Sequence, residues 1–138
     1  MASGIYNCSH PIGKKIPLCG SHVYFLKEVK GDSIFKIVDK NNLSYMIGKI
    51  KFCLRVGSWE EYSIKDNELM YKWTYKNDLR NGIYIDYFKD DLINAVGNYK
   101  DDNLNGLLVF FNYKRQVSKI EYWKERGGMS ELIYSKEY

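Results

Sequence analysis

The alternation of apolar and polar residues predicts β-strands along most of the chain. Val23 to Leu26 is an apolar run, Ser33 to Val38 alternates, and residues 43–47 resume the pattern after a polar turn at 39–42. Ile50 to Val56 alternates apolar with polar or charged residues, which is typical of a strand buried on one face. The pattern therefore favours strands joined by short turns, and the sequence is poor in alanine, the best helix former.

The second half of the chain repeats itself every 24 residues. Tyr75 to Gly82 and Tyr99 to Gly106 both read as an aromatic residue, a lysine, polar turn residues and Asn-Gly. A third copy starts at Trp123 and ends early at Gly127-Gly128, and Ile50 to Gly57 has the same length as the first two. After the glycine, each complete copy places a large side chain and, three residues further on, an aromatic one. Self-similarity at a fixed period indicates a repeat architecture.

The turn residues predict that each repeat is one β-hairpin. Asn81-Gly82 and Asn105-Gly106 are the strongest short signal for a type I′ hairpin turn, and Lys89 to Asp91 predicts a second turn. A lone hairpin is marginal in water, so successive hairpins must share their apolar faces. We predict a mainly β protein, an antiparallel sheet of stacked hairpins. Residues 57–138 form the repeats, residues 23–56 an N-terminal β cap, and residues 1–22 a loop or zinc-binding segment.

These repeats resemble the MORN repeat, and more closely its bacterial MORN-like variant. The resemblance covers about residues 50–128, and its best copies are Tyr75 to Tyr87 and Tyr99 to Phe111. The sequence departs from the family where Asp78 and Asp102 stand in place of a common glycine. The bacterial variant is often found in small proteins encoded beside polymorphic toxins. The resemblance therefore implies stacked β-hairpins and a role as an immunity protein or antitoxin.

The charge of the chain is unevenly distributed. The formal net charge is +4, but residues 1–57 carry nine basic and three acidic side chains whereas the remainder carries twelve and fourteen. Any attraction to polyanions would therefore lie in the first part, although a solvated surface explains the same charges. No apolar run reaches the roughly 18 residues of a membrane-spanning helix. No signal-peptide core is visible at the N-terminus, and the three cysteines are a poor disulfide framework. We expect a cytoplasmic protein that does not associate with membranes.

Four potential zinc ligands lie close together near the N-terminus. Cys8, His10, Cys19 and His22 have the spacing Cys-x-His-x8-Cys-x2-His, and two cysteines with two histidines are a common tetrahedral zinc set. The spacing is not that of a standard zinc finger. The alternatives are an unstructured tail, or thiols and imidazoles packed on the sheet. Cys53, which falls in the predicted strand Ile50 to Val56, is expected to be a small core residue.

The sequence contains no recognisable catalytic motif. A glycine-rich phosphate loop, a nucleophile elbow and an HExxH motif are all missing, and the repeats contain no histidine. We expect a protein that is not an enzyme.

Aromatic residues are instead the best candidates for a functional surface. They make up 16% of the chain, with 13 tyrosines, and tyrosine and tryptophan dominate binding surfaces. The repeat positions predict a partner-binding set of Trp59, Tyr62, Tyr84, Tyr87, Tyr99 and Phe111, unless these rings form the stacked core. The predicted function is a protein-binding module that neutralises a cognate toxin or enzyme by direct stoichiometric binding, as an immunity protein, an antitoxin or a phage-type inhibitor would. The alternative is a zinc-containing nucleic-acid-binding protein that uses the basic N-terminal part.

Overall fold

Residues 22–138 are described by a computed structural model, and this part of the chain is built from strands with no α-helix. The strands are β1 (Val23–Val29), β2 (Asp32–Val38), β3 (Ser44–Lys51), β4 (Leu54–Ser63), β5 (Leu69–Lys76), β6 (Leu79–Arg80), β7 (Gly82–Tyr87), β8 (Ile93–Lys100), β9 (Asn103–Leu104), β10 (Gly106–Phe111), β11 (Val117–Arg126) and β12 (Met129–Glu137).

All twelve strands belong to one antiparallel sheet. The order is β1-β2-β3-β4-β5-β7-β8-β10-β11-β12, with the short strands β6 and β9 paired to β5 and β8. Apart from β6 and β9, each strand neighbours the next one along the chain, so the sheet is a run of consecutive hairpins with β1 and β12 as its edge strands. The predicted fold class is confirmed. Strand β4 crosses from residue 56 to residue 57, and the sheet therefore continues without a break where the cap was expected to meet the repeats.

Five two-residue turns lie side by side at one end of the strands. We call this border of the sheet the tight-turn edge. The turns are Lys30-Gly31, Phe52-Cys53, Asn77-Asp78, Asp101-Asp102 and Gly127-Gly128, and all ten residues have positive φ. A type I′ turn needs positive φ at both central positions, and its twist matches that of the flanking strands. The longer turns, including the predicted one at Lys89–Asp91, lie at the opposite end of the strands.

The Asn-Gly pairs are not the hairpin turns, and that prediction is wrong. The turn between β5 and β6 is Asn77-Asp78, because Lys76 pairs with Leu79. Asn81-Gly82 instead forms a bulge between β6 and β7. Tyr75 pairs with Arg80 and Lys72 pairs with Ile85, so three steps along β5 lie opposite five steps along β6 and β7, which therefore hold two extra residues. Asn105-Gly106 forms the equivalent bulge between β9 and β10, opposite β8, in the next repeat. Gly82 has φ +117, which residues with a side chain rarely adopt, and this explains the glycine.

The predicted strand Ile50 to Val56 is also interrupted. Lys51 pairs with Leu54 across the turn Phe52-Cys53, in which φ is 52° and 62°. Cys53 is therefore a turn residue, although its side chain does pack against the core. Neither residue is a usual choice for positive φ, so the local sequence gives no turn signal.

One face of the sheet carries large rings, two of which pair directly with a glycine: Phe35 with Gly48 and Tyr84 with Gly97. Directly paired residues share a face, and Trp59 on β4 pairs with Trp73 on β5, so both rings lie on the same face. Trp59 is fully buried because its ring lies on Gly48, where an added Cβ would come within 2.3 Å of the ring. The core cluster around it is formed by Val23, Phe25, Phe35, Ile50, Trp59 and Tyr75. The best-packed part of the described sheet thus lies in its N-terminal half.

Candidate functional site: the aromatic face

Four rings of the central repeats form a continuous cluster on the face that carries Trp59. Tyr71, Trp73, Tyr84 and Tyr99, which we call the aromatic cluster, come from β5, β7 and β8. Ring centroids are 5.3 Å apart for Tyr71 and Trp73, 4.9 Å for Trp73 and Tyr84, and 5.4 Å for Tyr84 and Tyr99. The last pair meets edge to face, a favourable geometry for aromatic rings. All four are half-buried, so each ring retains some accessible surface.

Two carboxylates lie next to the cluster. Glu61 and Asp86 are the cross-strand partners of Tyr71 on its two sides. The indole nitrogen of Trp73 donates to Glu61 Oε1 at 2.9 Å, and the Asn94 amide donates to Asp86 Oδ2 at 2.9 Å. Burial raises the pKa of Asp86, although hydrogen bonds from Asn94 and Tyr84 partly oppose this. Burial, followed by the nearby Asp86 carboxylate, raises the pKa of Tyr84, so its hydroxyl remains a hydrogen-bond donor.

Arginine and aspartate join successive repeats at the tight-turn edge. Arg55 Nε donates to Asp78 Oδ1 at 2.6 Å, and its guanidinium carbon lies 4.1 Å from the Tyr75 ring centroid. Arg80 repeats this arrangement with Asp102, at 3.1 Å, and with the Tyr99 ring, at 4.6 Å.

The backbone takes part in the same contact. The amide of Arg80 donates to Asp102 Oδ1 at 2.8 Å, and the amide of Asp102 donates to the Arg80 carbonyl at 2.9 Å. Asp78 and Asp102 therefore each join a tight turn to the strand of the preceding repeat. Burial alone would raise the pKa of Asp102, but the hydrogen bonds from Arg80 outweigh it and lower the pKa.

The structure divides the predicted partner-binding residues between two faces. Tyr84 and Tyr99 belong to the aromatic cluster, and Trp59 shares their face but is fully buried, so it is a core residue and offers no contact surface. Tyr62, Tyr87 and Phe111 lie an odd number of positions from Trp59, Tyr84 and Leu108 on their strands, which places them on the opposite face. Consistent with this, Tyr62 stacks on Tyr45 with centroids 5.2 Å apart, away from the cluster.

Sequence reasoning missed Tyr71, Trp73 and Arg80. Tyr71, Trp73 and Tyr75 alternate on one strand, and this period of two was the available signal. Arg80 could not be found in this way, because its role depends on a turn 22 residues away.

The proposed zinc ligands Cys8, His10 and Cys19 lie outside the described residues. His22 precedes β1 and is exposed. Within residues 22–138 no three His, Cys, Asp or Glu side chains lie close enough together to hold a metal ion. Cys53 is disulfide-bonded, which runs against the expectation of a poor disulfide framework.

Neither a protein-family model nor a curated protein sequence matches this chain. The described part also contains no helix of the length and apolar character needed to cross a membrane.

Proposed function

We propose that this protein is a binding module that neutralises a cognate toxin or enzyme by stoichiometric binding. The contact surface on this protein is the aromatic face, the face of the sheet that carries the aromatic cluster. The observation that carries this proposal is the composition of that face, where the aromatic cluster lies beside the carboxylates of Glu61 and Asp86 and two of its rings, Trp73 and Tyr99, contact Arg80. Tyrosine, tryptophan and arginine are the residues that most often supply the binding energy of protein interfaces. An antitoxin, an immunity protein and a phage-type inhibitor would all act in this way, by covering an active site or a substrate groove.

The rigidity of the cluster supports the same proposal. The rings pack on one another, and Arg80 lies 5.5 Å from the Trp73 ring and 4.6 Å from the Tyr99 ring. Its guanidinium is also fixed by Asp102. Side chains held in place before binding lose little conformational entropy when a partner arrives. The carboxylates and phenol hydroxyls supply polar groups that can fix the orientation of the partner.

The experiment is an affinity purification of the tagged protein from its native cells, with wild type and variants compared. A single stoichiometric protein partner is expected, above all one encoded by a neighbouring gene. Tyr84→Ala should weaken binding by about 30-fold or more if the ring is a central contact. Tyr84→Phe, which keeps the ring and removes the hydroxyl, should have a smaller effect.

The matched control is Tyr113→Ala. Tyr113 is 71% exposed and stacks on Phe88 away from the aromatic cluster, so its removal should leave partner binding unchanged. Metal and nucleic acid are measured on the same sample. One zinc ion per chain with retained nucleic acid and no protein partner would replace the proposed function with the nucleic-acid-binding alternative. Equal binding by wild type and a folded Tyr84→Ala variant would exclude the aromatic face.

A further inference from the structure

The face opposite the aromatic cluster carries an uncovered apolar surface in the C-terminal half. Ile85, Val96, Val109 and Ile120 are cross-strand partners in one row over four adjacent strands. Ile83, Leu107, Tyr122 and Tyr134 form a second row beside it, interrupted by Asn98. We call these eight residues the aliphatic face.

Half of the aliphatic face is strongly exposed. Ile83 is 62% exposed, Leu107 56%, Tyr134 52% and Tyr122 37%. Soluble monomers rarely expose large contiguous apolar patches, and such patches usually mark an interaction site. Stable domains also pack at least two layers around a core, whereas residues 22–138 form one sheet. The physical expectation is that a second layer covers this face.

We propose that a second copy of this chain supplies that layer, with the two aliphatic faces packed against each other. The two faces of the sheet differ in apolar character, as permanent and transient interfaces do. Homodimer interfaces are more apolar than transient ones, and the aliphatic face consists of Ile, Val, Leu and two Tyr. The aromatic face, with its arginine and carboxylates, remains free for the partner of the proposed function, so the two proposals can fail independently.

The distribution of charge favours a copy of the same surface. In a twofold dimer each patch meets itself, so a charged patch would place like charges opposite one another. The row from Ile85 to Ile120 contains no charge, and lysines follow only at its ends, at Lys72 and Lys136. Lys72 lies 3.9 Å from Glu60, which offsets its charge.

The size of the surface also fits. Five adjacent strands from β7 to β12 span about 24 Å at roughly 4.8 Å per strand. The two rows, extended by Tyr87 and Phe111 on the same face, cover the six residues of β7 and of β10, which adds about 20 Å. The flat area is about 480 Å² before the relief of the side chains is counted. This is the order of the roughly 800 Å² per partner of a stable interface once the rim is included. Two sheets packed in this way would lie about 10 Å apart.

The test is the molar mass of the full chain by light scattering and sedimentation equilibrium, from low to high micromolar concentration. Wild type should be a dimer, and Ile83→Lys and Leu107→Lys should each raise the dimer dissociation constant by about 30-fold or more. Both side chains are more than half exposed, so the variants should keep the wild-type circular dichroism. Leu43→Lys is the matched control, because Leu43 is 70% exposed but lies in the turn before β3.

A mixing experiment identifies the occupant. The Ile83→Lys/Leu107→Lys and Ile83→Glu/Leu107→Glu variants should each be monomeric alone and should form a heterodimer when mixed, because the same patch faces itself. A monomeric wild type at every concentration would overturn the proposal, as would a dimer that survives both lysine substitutions. A dimer lost through Ile133→Lys on the edge strand β12, but retained in Leu107→Lys, would show edge pairing instead.

Discussion

The contact between Gly48 and Trp59 allows a quantitative prediction about the core. A Cβ at residue 48 would lie 2.3 Å from Trp59 Cδ2, 2.5 Å from Cε2 and 2.6 Å from Cγ. Carbon atoms in contact normally lie about 3.5–4.0 Å apart, so the ring or the backbone would have to move by about 1 Å. Gly48→Ala should therefore strain the core and destabilise the protein.

The indole of Trp59 has little room to move. It is 0% exposed, and its Nε1 donates to the Val56 carbonyl at 3.2 Å. Overpacking of this kind costs about 1–3 kcal/mol, while replacing glycine by alanine recovers about 0.4–1 kcal/mol through the unfolded chain. We expect a net loss of about 1.3 kcal/mol, and hence a decrease in Tm of about 5 °C for a chain of this length.

The assay is urea unfolding followed by tryptophan fluorescence, with thermal unfolding as a second measurement. Gly97→Ala is the matched control: its Cβ would meet Leu108 Cδ1 at 2.8 Å, but that methyl group is the end of a flexible side chain. Gly97→Ala should therefore cost less than Gly48→Ala. A double-mutant cycle with Trp59→Phe should be non-additive, because the smaller ring leaves room for the new methyl group. Wild-type stability in Gly48→Ala would refute the reasoning.

Three further predictions concern the two aspartates Asp102 and Asp86, the turn residue Phe52 and the core residue Trp59. Tm measured between about pH 3 and pH 8 should show opposite effects for two aspartates. The lowered pKa of Asp102 means that its carboxylate stabilises the fold above the unfolded pKa and that this stability is lost on acidification, so Asp102→Asn should lower Tm at neutral pH and flatten the acid decline. Because burial raises the pKa of Asp86, its contribution is present below the unfolded pKa and is lost as the pH rises through the folded pKa, so Asp86→Asn should raise Tm at neutral pH; equal shifts in both variants would contradict this assignment. Phe52→Asn should stabilise the protein by about 1 kcal/mol in urea unfolding, because Phe52 is 55% exposed and has φ 52°, a conformation that asparagine adopts more readily; a loss of stability would show that the ring matters more than the turn. Trp59→Ala should cost about 3–5 kcal/mol or unfold the chain, and a folded variant of wild-type stability would disprove its core role.

The sequence determined the class and the period of this fold. Alternation of apolar and polar residues along the chain makes one face of each strand more apolar than the other. Turn residues that recur every 24 positions indicate consecutive hairpins. These are local properties, set by side-chain direction and by the φ values that a few residue types accept. The large residues after each glycine also indicated where ordered rings would lie.

The tertiary structure decided which glycine is a bulge and which pair is a turn. Asn81-Gly82 suits either, and the choice follows from the alignment of Asn77-Asp78 with the other turns along one edge, where Asp78 reaches Arg55 in the preceding strand. The same long-range pairing placed Phe52-Cys53 in a turn without a local signal. It also buried Trp59 on Gly48 while leaving Tyr84 half-exposed, since two residues at equivalent repeat positions differ only in what the neighbouring strand presents. Burial and function are thus properties of strand neighbours, which a repeat pattern cannot specify by itself.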